Sequence, residues 1–143
     1  MKKIVLICLI SVLLAACGAK KANVTTTLSD RKPDAGHLAK LMEGVDAWNQ
    51  WRKDNPKIVT PDLEDADLTG ANLENYDLKH AALSNAVLVN ANLRGADLTN
   101  ANLRVADLTG ADLTGAILTG ARYDNRTTWP EGFDPVAAGA ILK

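Results

Sequence analysis

"ADLTNANLRVADLTGADLTGAIL", residues 96–118, places Leu98, Leu103, Leu108, Leu113 and Leu118 at intervals of five. An α-helix advances about 100° per residue, so this spacing turns each successive leucine by about 140° and scatters the set over every face. A flat strand fails as well, because side chains alternate with period two and an odd interval sends consecutive leucines to opposite sides. A chain that turns a corner every five residues removes the conflict. If each pentad swings the backbone by about a quarter circle, every leucine points at one axis.

Written in fives from Pro61, the pattern holds for thirteen consecutive pentads, 61–125. The central position is Leu in every pentad but the last, where it is Tyr123, and two positions earlier stands Ala except at Pro61 and Tyr76. The fifth position is Gly or Asn except at Asp65, His80 and Val105. Gly and Asn accept the positive φ that a type II turn requires at its third residue, so each pentad ends in a corner.

These residues resemble the pentapeptide-repeat family, whose pattern is A(D/N)LxX. The resemblance covers 61–125 directly, and the flanks around "AWNQWRKDNPKIVTPDLEDADLTGANL" and "ARYDNRTTWPEGFDPVAAGA" are similar to segments that precede and follow such repeats. It implies an all-β fold, a right-handed quadrilateral β-helix of about three coils with an N-terminal α-helical cap. Four pentads per coil then stack residues twenty apart: Leu63, Leu83, Leu103 and Tyr123 in one interior column, Leu68, Leu88 and Leu108 in the next. Outside, Glu74 is expected against Arg94, and Arg104 against Asp124.

An uncapped solenoid exposes apolar coil ends and unpaired backbone groups. All three tryptophans and the single phenylalanine lie outside the repeat. Trp48, Trp51, Trp129 and Phe133 therefore read as cap residues. Tyr76, which replaces Ala in the first coil, joins them.

Upstream, Leu38, Leu41, Met42, Val45 and Trp48 recur at helical spacing behind Asp34 as N-cap, and Pro56 ends the pattern, which predicts one amphipathic helix over about 36–53. Gly18 to Gly36 is small, polar and aperiodic, the composition of a linker spanning roughly 24 Å root-mean-square. Before it, "MKKIVLICLISVLLAAC" places Lys2 and Lys3 ahead of an apolar run from Ile4 to Ala16. A bilayer-crossing helix needs about 20 residues, so this run is a targeting segment. Its final tetrad, Leu14-Ala15-Ala16-Cys17, resembles the lipobox (LAAC) of bacterial lipoproteins. That resemblance implies cleavage before Cys17, acylation (palmitate among the chains) of its thiol and a stable membrane anchor; an ordinary secretory signal with a chance cysteine, or an uncleaved anchor, is the competing reading. Cleavage takes away Lys2, Lys3 and Cys8, moves the formal charge from −1 to −3 and leaves no partner for an intramolecular disulfide.

The expected organisation is a signal peptide at 1–16, lipidated Cys17 and linker over 17–36, a capping helix and connector over 37–60, the β-helix over 61–125 and a C-terminal cap segment over 126–143. His37 and His80 are far apart with no cysteine partner, and the aspartates before the leucines include no complete ligand set, so no catalytic, cofactor or metal site is expected. Val87, Val89 and Val105 interrupt the polar outer positions and are the candidate interaction surface. The function expected is a non-catalytic, lipid-anchored envelope protein using its solenoid as a rigid protein-interaction or structural scaffold. In a host with two membranes, Gly18 after the cysteine implies the periplasmic face of the outer membrane. The partners expected are the membrane, through acyl chains on Cys17, and an envelope protein. The alternative is the DNA-mimic role that some family members play towards topoisomerases, compatible with ten acidic against four basic residues in 61–125. Export would separate the chain from such enzymes, and nucleic acid is not an expected partner.

Overall fold

The computed structural model describes residues 33–143. The signal segment, Cys17 and the linker up to residue 32 lie outside the described residues. Helix α1 (Ala35–Met42) starts where the Asp34 carboxylate accepts the N–H groups of Gly36 and His37, both at 2.9 Å. Helix α2 (Val45–Asp54) follows after a break. The single helix expected over 36–53 is thus two, because Gly44 sits at φ 110°, ψ 170°, a conformation essentially confined to glycine. The break also ends the continuous apolar stripe: Leu41 and Trp48 are buried, whereas Met42 is turned out to solvent.

From residue 61 the chain winds into a four-sided coil. Isolated parallel bridges join Asp62 to Ala82, Asp67 to Val87, Asn72 to Asn92 and Asp77 to Asp97, and the same offset of twenty repeats up to Asn102 and Arg122. Each side is too short between corners to form a regular strand, but its backbone is still paired. On the first side Leu63 N–H donates to Ala82 O (2.9 Å), Asp65 N–H to Ser84 O (3.0 Å) and Ala82 N–H to Pro61 O (2.9 Å). The corners lie where the Gly/Asn column predicts them, with φ between 56° and 71° from Asp65 to Gly120. Asp65, His80 and Val105 adopt this conformation too, so the geometry of the coil overrides the residue type. Every central leucine points inward. Most of the alanines two positions earlier are also fully buried, since alternate residues of a short extended side share a face.

A coil stack has two open edges, and the two ends are covered differently. Beneath the fourth side of the first coil, α2 supplies side chains where a preceding coil would supply backbone. Asn49 Oδ1 accepts Asp77 N–H (2.8 Å) while its Nδ2 donates to Asn75 O (3.0 Å). Trp48 Nε1 donates to Asp77 O (2.7 Å), and Arg52 donates to Lys79 O (3.0 Å) and Ile58 O (2.7 Å). Tyr76 reaches down to donate its hydroxyl to Leu41 O (3.1 Å).

At the other end the repeat does not stop at 125. The corner after Tyr123 carries one extra residue, so Asp107 pairs with Thr128 rather than with residue 127. Thr127 fills the gap: its hydroxyl accepts Asp124 N–H and donates to Leu103 O. The segment expected only as a cap from 126 continues the coil, with strands β1 (Arg122–Tyr123) and β2 (Ile141–Leu142) in parallel register. The physical reason is the open upper edge of the third coil, whose backbone groups the chain pairs by winding on.

Replacing Asn49 by Ala removes both an acceptor and a donor from this edge and is expected to cost about 1–3 kcal/mol, read as a lowered urea midpoint with an unchanged slope. Trp48→Ala, at a fully buried site, is expected to cost about 3–5 kcal/mol in the same titration.

Candidate functional site

The outer surface is built from two columns per side, one before and one after each leucine. The residue before it is Asp or Asn in nine of the twelve pentads that end in these positive-φ corners. In each of those nine, Oδ1 accepts the N–H two residues on, at 2.9 to 3.4 Å, from Asp62 with Glu64 to Asp112 with Thr114. The column is a series of Asx turns that fold the backbone toward its corner. The pattern A(D/N)LxX contains that signal, and the known habit of these side chains to bond two residues onward is the clue that reads it.

Ala82, Val87 and Ile117 occupy the same column without such an oxygen. Val87 bridges Asp67 below and Asp107 above it in the middle of the second side, and is 37% exposed. Val89, half-buried, shares that side, and Val105 forms the corner at which the third coil enters it. Val87 and Val89 thus share the second side, whose pentads 66–70, 86–90 and 106–110 carry Asp67 and Asp107 and neither Lys nor Arg, while Val105 closes a pentad of the first side at the corner between the two. Val105 is also strained. A β-branched residue at φ 61° is an outlier, and its N–H reaches the Asp124 side chain (3.3 Å) instead of a ladder carbonyl.

The ion pairs differ from the simple stacking expected. Arg94 pairs with Asp112 (3.2 Å), and Glu74 instead accepts Asn92 Nδ2 (3.3 Å). Asp124 pairs with Arg126 (2.9 Å) rather than Arg104. A long arginine side chain reaches the column before the leucine in the next coil, eighteen residues on, as readily as the position directly above or below it. Asp77 and Asp97 do stack, but Lys79 Nζ lies 3.1 Å from Asp97 and Arg52 Nε 4.0 Å from Asp77. Burial opposes the ionised form of Asp97, yet the Thr99 hydroxyl and N–H and the Lys79 ammonium outweigh it and hold the carboxyl below its ordinary 3.8. The Asp97 hydrogen bond in turn raises Lys79. The Thr109 and Thr114 hydroxyls and amides lower Asp107 and Asp112 in the same way.

The aromatic residues gather at the two ends. Trp48 lies 5.0 Å from Trp51 and 6.5 Å from Tyr76, ring centre to ring centre. Tyr123 meets Trp129 edge-on at 5.5 Å, and Trp129 stacks on Phe133 at 5.3 Å. A shallow open groove beside Phe133 is lined by Asp112, Leu113, Thr114, Pro130 and Glu131. Among the described residues no three His, Cys, Asp or Glu side chains converge as a metal cage, and no helix is long and apolar enough to cross a membrane.

Comparison with known proteins identifies the family of the repeat. The family model described as pentapeptide repeats matches residues 62–100 and 86–122, in eight copies. A pentapeptide repeat protein from Nostoc Pcc 7120 is 36% identical over 57% of this chain and 75% of that chain, with a TM-score of 0.38. A pentapeptide repeat protein of the Arabidopsis thaliana thylakoid lumen is 32% identical over 57% of this chain and 54% of its own, with a TM-score of 0.29. HetL, from Nostoc sp. strain PCC 7120 and involved in heterocyst differentiation regulation, is 40% identical over 41% of this chain and 36% of its own, with a TM-score of 0.23. No curated protein matches the chain. The chain belongs to the pentapeptide-repeat family, whose members adopt a right-handed quadrilateral β-helix. They are generally non-enzymatic structural or interaction scaffolds, and no catalytic family is indicated.

Val105→Asn relieves the corner strain and is expected to raise stability by about 1 kcal/mol in thermal or urea unfolding. Gly95→Ala has the opposite sign, because its φ is 63° and an added Cβ would meet the Asn75 side-chain oxygen of the coil below. The lowered aspartates contribute stability above their unfolded value near 3.8 that is lost as pH falls through the folded ones. Melting temperature should therefore drop below about pH 4, and Asp97→Asn, which keeps an Asx oxygen but cannot ionise, should flatten part of that drop.

Proposed function

We propose that this protein is a lipid-anchored envelope protein whose solenoid is a rigid, non-catalytic interaction scaffold, tethered through Cys17 and bounded by a helical cap and an aromatic C-terminal end. The observation that carries the interaction reading is the second side of the coil. Val87 replaces an Asx-turn oxygen that most equivalent positions keep, and Val105 holds a corner that glycine or asparagine would occupy without strain. Both residues forgo local stability, on the second side and at the corner that borders it. Strain retained at a surface is a marker of function rather than of folding. The patch, framed by Asp67 and Asp107, suits an aliphatic contact flanked by basic groups on an envelope partner.

The lipobox resemblance at Leu14 to Cys17 supports the anchor, and Gly18 supports outer-membrane sorting in a host with two membranes. The DNA-mimic reading draws on the acidic excess of the repeat alone. Lys79 and Arg94 already pair with Asp97 and Asp112, which reduces the free negative charge such mimicry needs.

The mass of the mature N-terminal peptide from membranes, beside a Cys17→Ser control, tests the anchor: an acylated peptide beginning at Cys17 is expected, and an unmodified soluble chain beginning at Met1 overturns it. Cross-linking in intact cells tests the surface, with one reproducible envelope partner expected and its capture lost in Val87→Asp/Val89→Asp. Protection of gyrase by the purified soluble domain would instead favour the DNA-mimic reading.

A further inference from the structure

The lower edge of the first coil presents backbone groups that would pair with a preceding coil. Asn49, Trp48 and Arg52 answer them on the fourth side. On the first side the group is Asp62 N–H. Its equivalents one and two coils up, Ala82 N–H and Asn102 N–H, donate to the carbonyls of Pro61 and Ala81, both at 2.9 Å. Asp62 N–H donates instead to His37 Nδ1, at 3.2 Å. Because this donor is a backbone N–H, Nδ1 must carry a lone pair and the ring proton must be on Nε2.

Among these stand-ins for a missing coil, the imidazole is the one whose Nδ1 turns from acceptor to donor when it takes up a proton. An amide oxygen, an indole N–H and a guanidinium keep their roles. A second acceptor waits beside the ring: Asp34 Oδ1 is 3.7 Å from the same Nδ1, and Asp34 already caps α1. The ring is held against α2 by Trp51, at 5.2 Å between centres. Among the described residues, the charged groups on the elements around the ring include Asp34 and Lys40 of α1, Asp62 and Glu64 on the first coil and Arg52 on α2, and Lys40 pairs with Glu43 (2.6 Å). Asp62 Oδ1 accepts Glu64 N–H, and Arg52 is committed to the carbonyls of Ile58 and Lys79.

We propose that His37 is a proton-operated latch between α1 and the β-helix. Neutral, it accepts Asp62 N–H and pairs the lower edge of the first coil on its first side. Protonated, its Nδ1–H donates to the Asp34 carboxylate, and Asp62 N–H is released to water. The proton thus trades a long-range contact, twenty-five residues apart, for a local one within the start of α1. Acidification loosens the join between helix and coil without requiring either to unfold.

The test is amide hydrogen exchange by NMR on the full chain in detergent micelles between pH 8 and pH 5, corrected for the intrinsic change of exchange rate with pH. The protection of Asp62 N–H is expected to fall about three- to tenfold as the His37 ring titrates, the population change that one net hydrogen bond represents. Asp77 N–H, held by Asn49, should keep its protection over the same range. His37→Asn places an amide oxygen near the position of Nδ1 that cannot take up a proton, and should make the Asp62 profile flat. Protection of Asp62 that is unchanged through the His37 titration overturns the latch, as does an equal fall at Asp62 and Asp77 or an equal fall in His37→Asn. If that variant fails to fold, the comparison of Asp62 with Asp77 in the native chain still decides.

Discussion

Everything in this fold depends on a positive φ at every fifth residue. The corner lets a chain with leucines five apart aim all of them at one axis, and it brings residues twenty apart into parallel register. Backbone pairing and core formation are consequences of the same geometry, since the interior leucine and the outward Asx residue beside it are neighbours on one short side. The coil enforces this strongly enough that Asp65, His80 and even Val105 adopt the left-handed conformation. Where a corner asparagine has glycine directly above it, as with Asn75 and Gly95, the glycine also leaves room for the amide below.

A ladder that repeats must also end, and each end solves this with different chemistry. Below the first coil the chain arrives as helix, whose backbone is already paired within itself, so side chains must offer the missing donors and acceptors. Asn49 does both at once, and His37 accepts with an imidazole nitrogen. Above the third coil the chain leaves as extended backbone and can pair directly, which explains why an irregular fourth coil forms despite the loss of the pentad pattern. Trp129 and Phe133 then cover apolar surface that no further leucine column reaches.

The exterior follows the same economy of short range. Asp and Asn before the leucines serve the backbone two residues on, so an acidic surface here is first a device for making turns. That reading makes the positions lacking such an oxygen informative. Val87 stands between two aspartates that keep theirs, on the side that Val105 borders at a strained corner.

The repeat, its register, the inward columns and the corners were legible in the sequence because each depends on residues within one pentad and recurs, so a preference at one position is repeated at its equivalents. The turn-making role of the aspartate and asparagine column was missed in the sequence reading, although the habit of these side chains to bond two residues onward is the clue that would have found it. The termini were not legible. One helix or two depended on the backbone angle of Gly44, and the choice of Arg94 between Glu74 and Asp112 depended on the reach of a long side chain across two coils. The sequence by itself determined a chain that turns a corner every five residues around apolar interior columns, because period and residue type exclude straight elements, and the resemblance to the pentapeptide-repeat family implied four such sides per coil. Only the tertiary structure decided how the open edges are paired and how the chain beyond 125 winds on, because those outcomes join residues whose spacing along the chain carries no period.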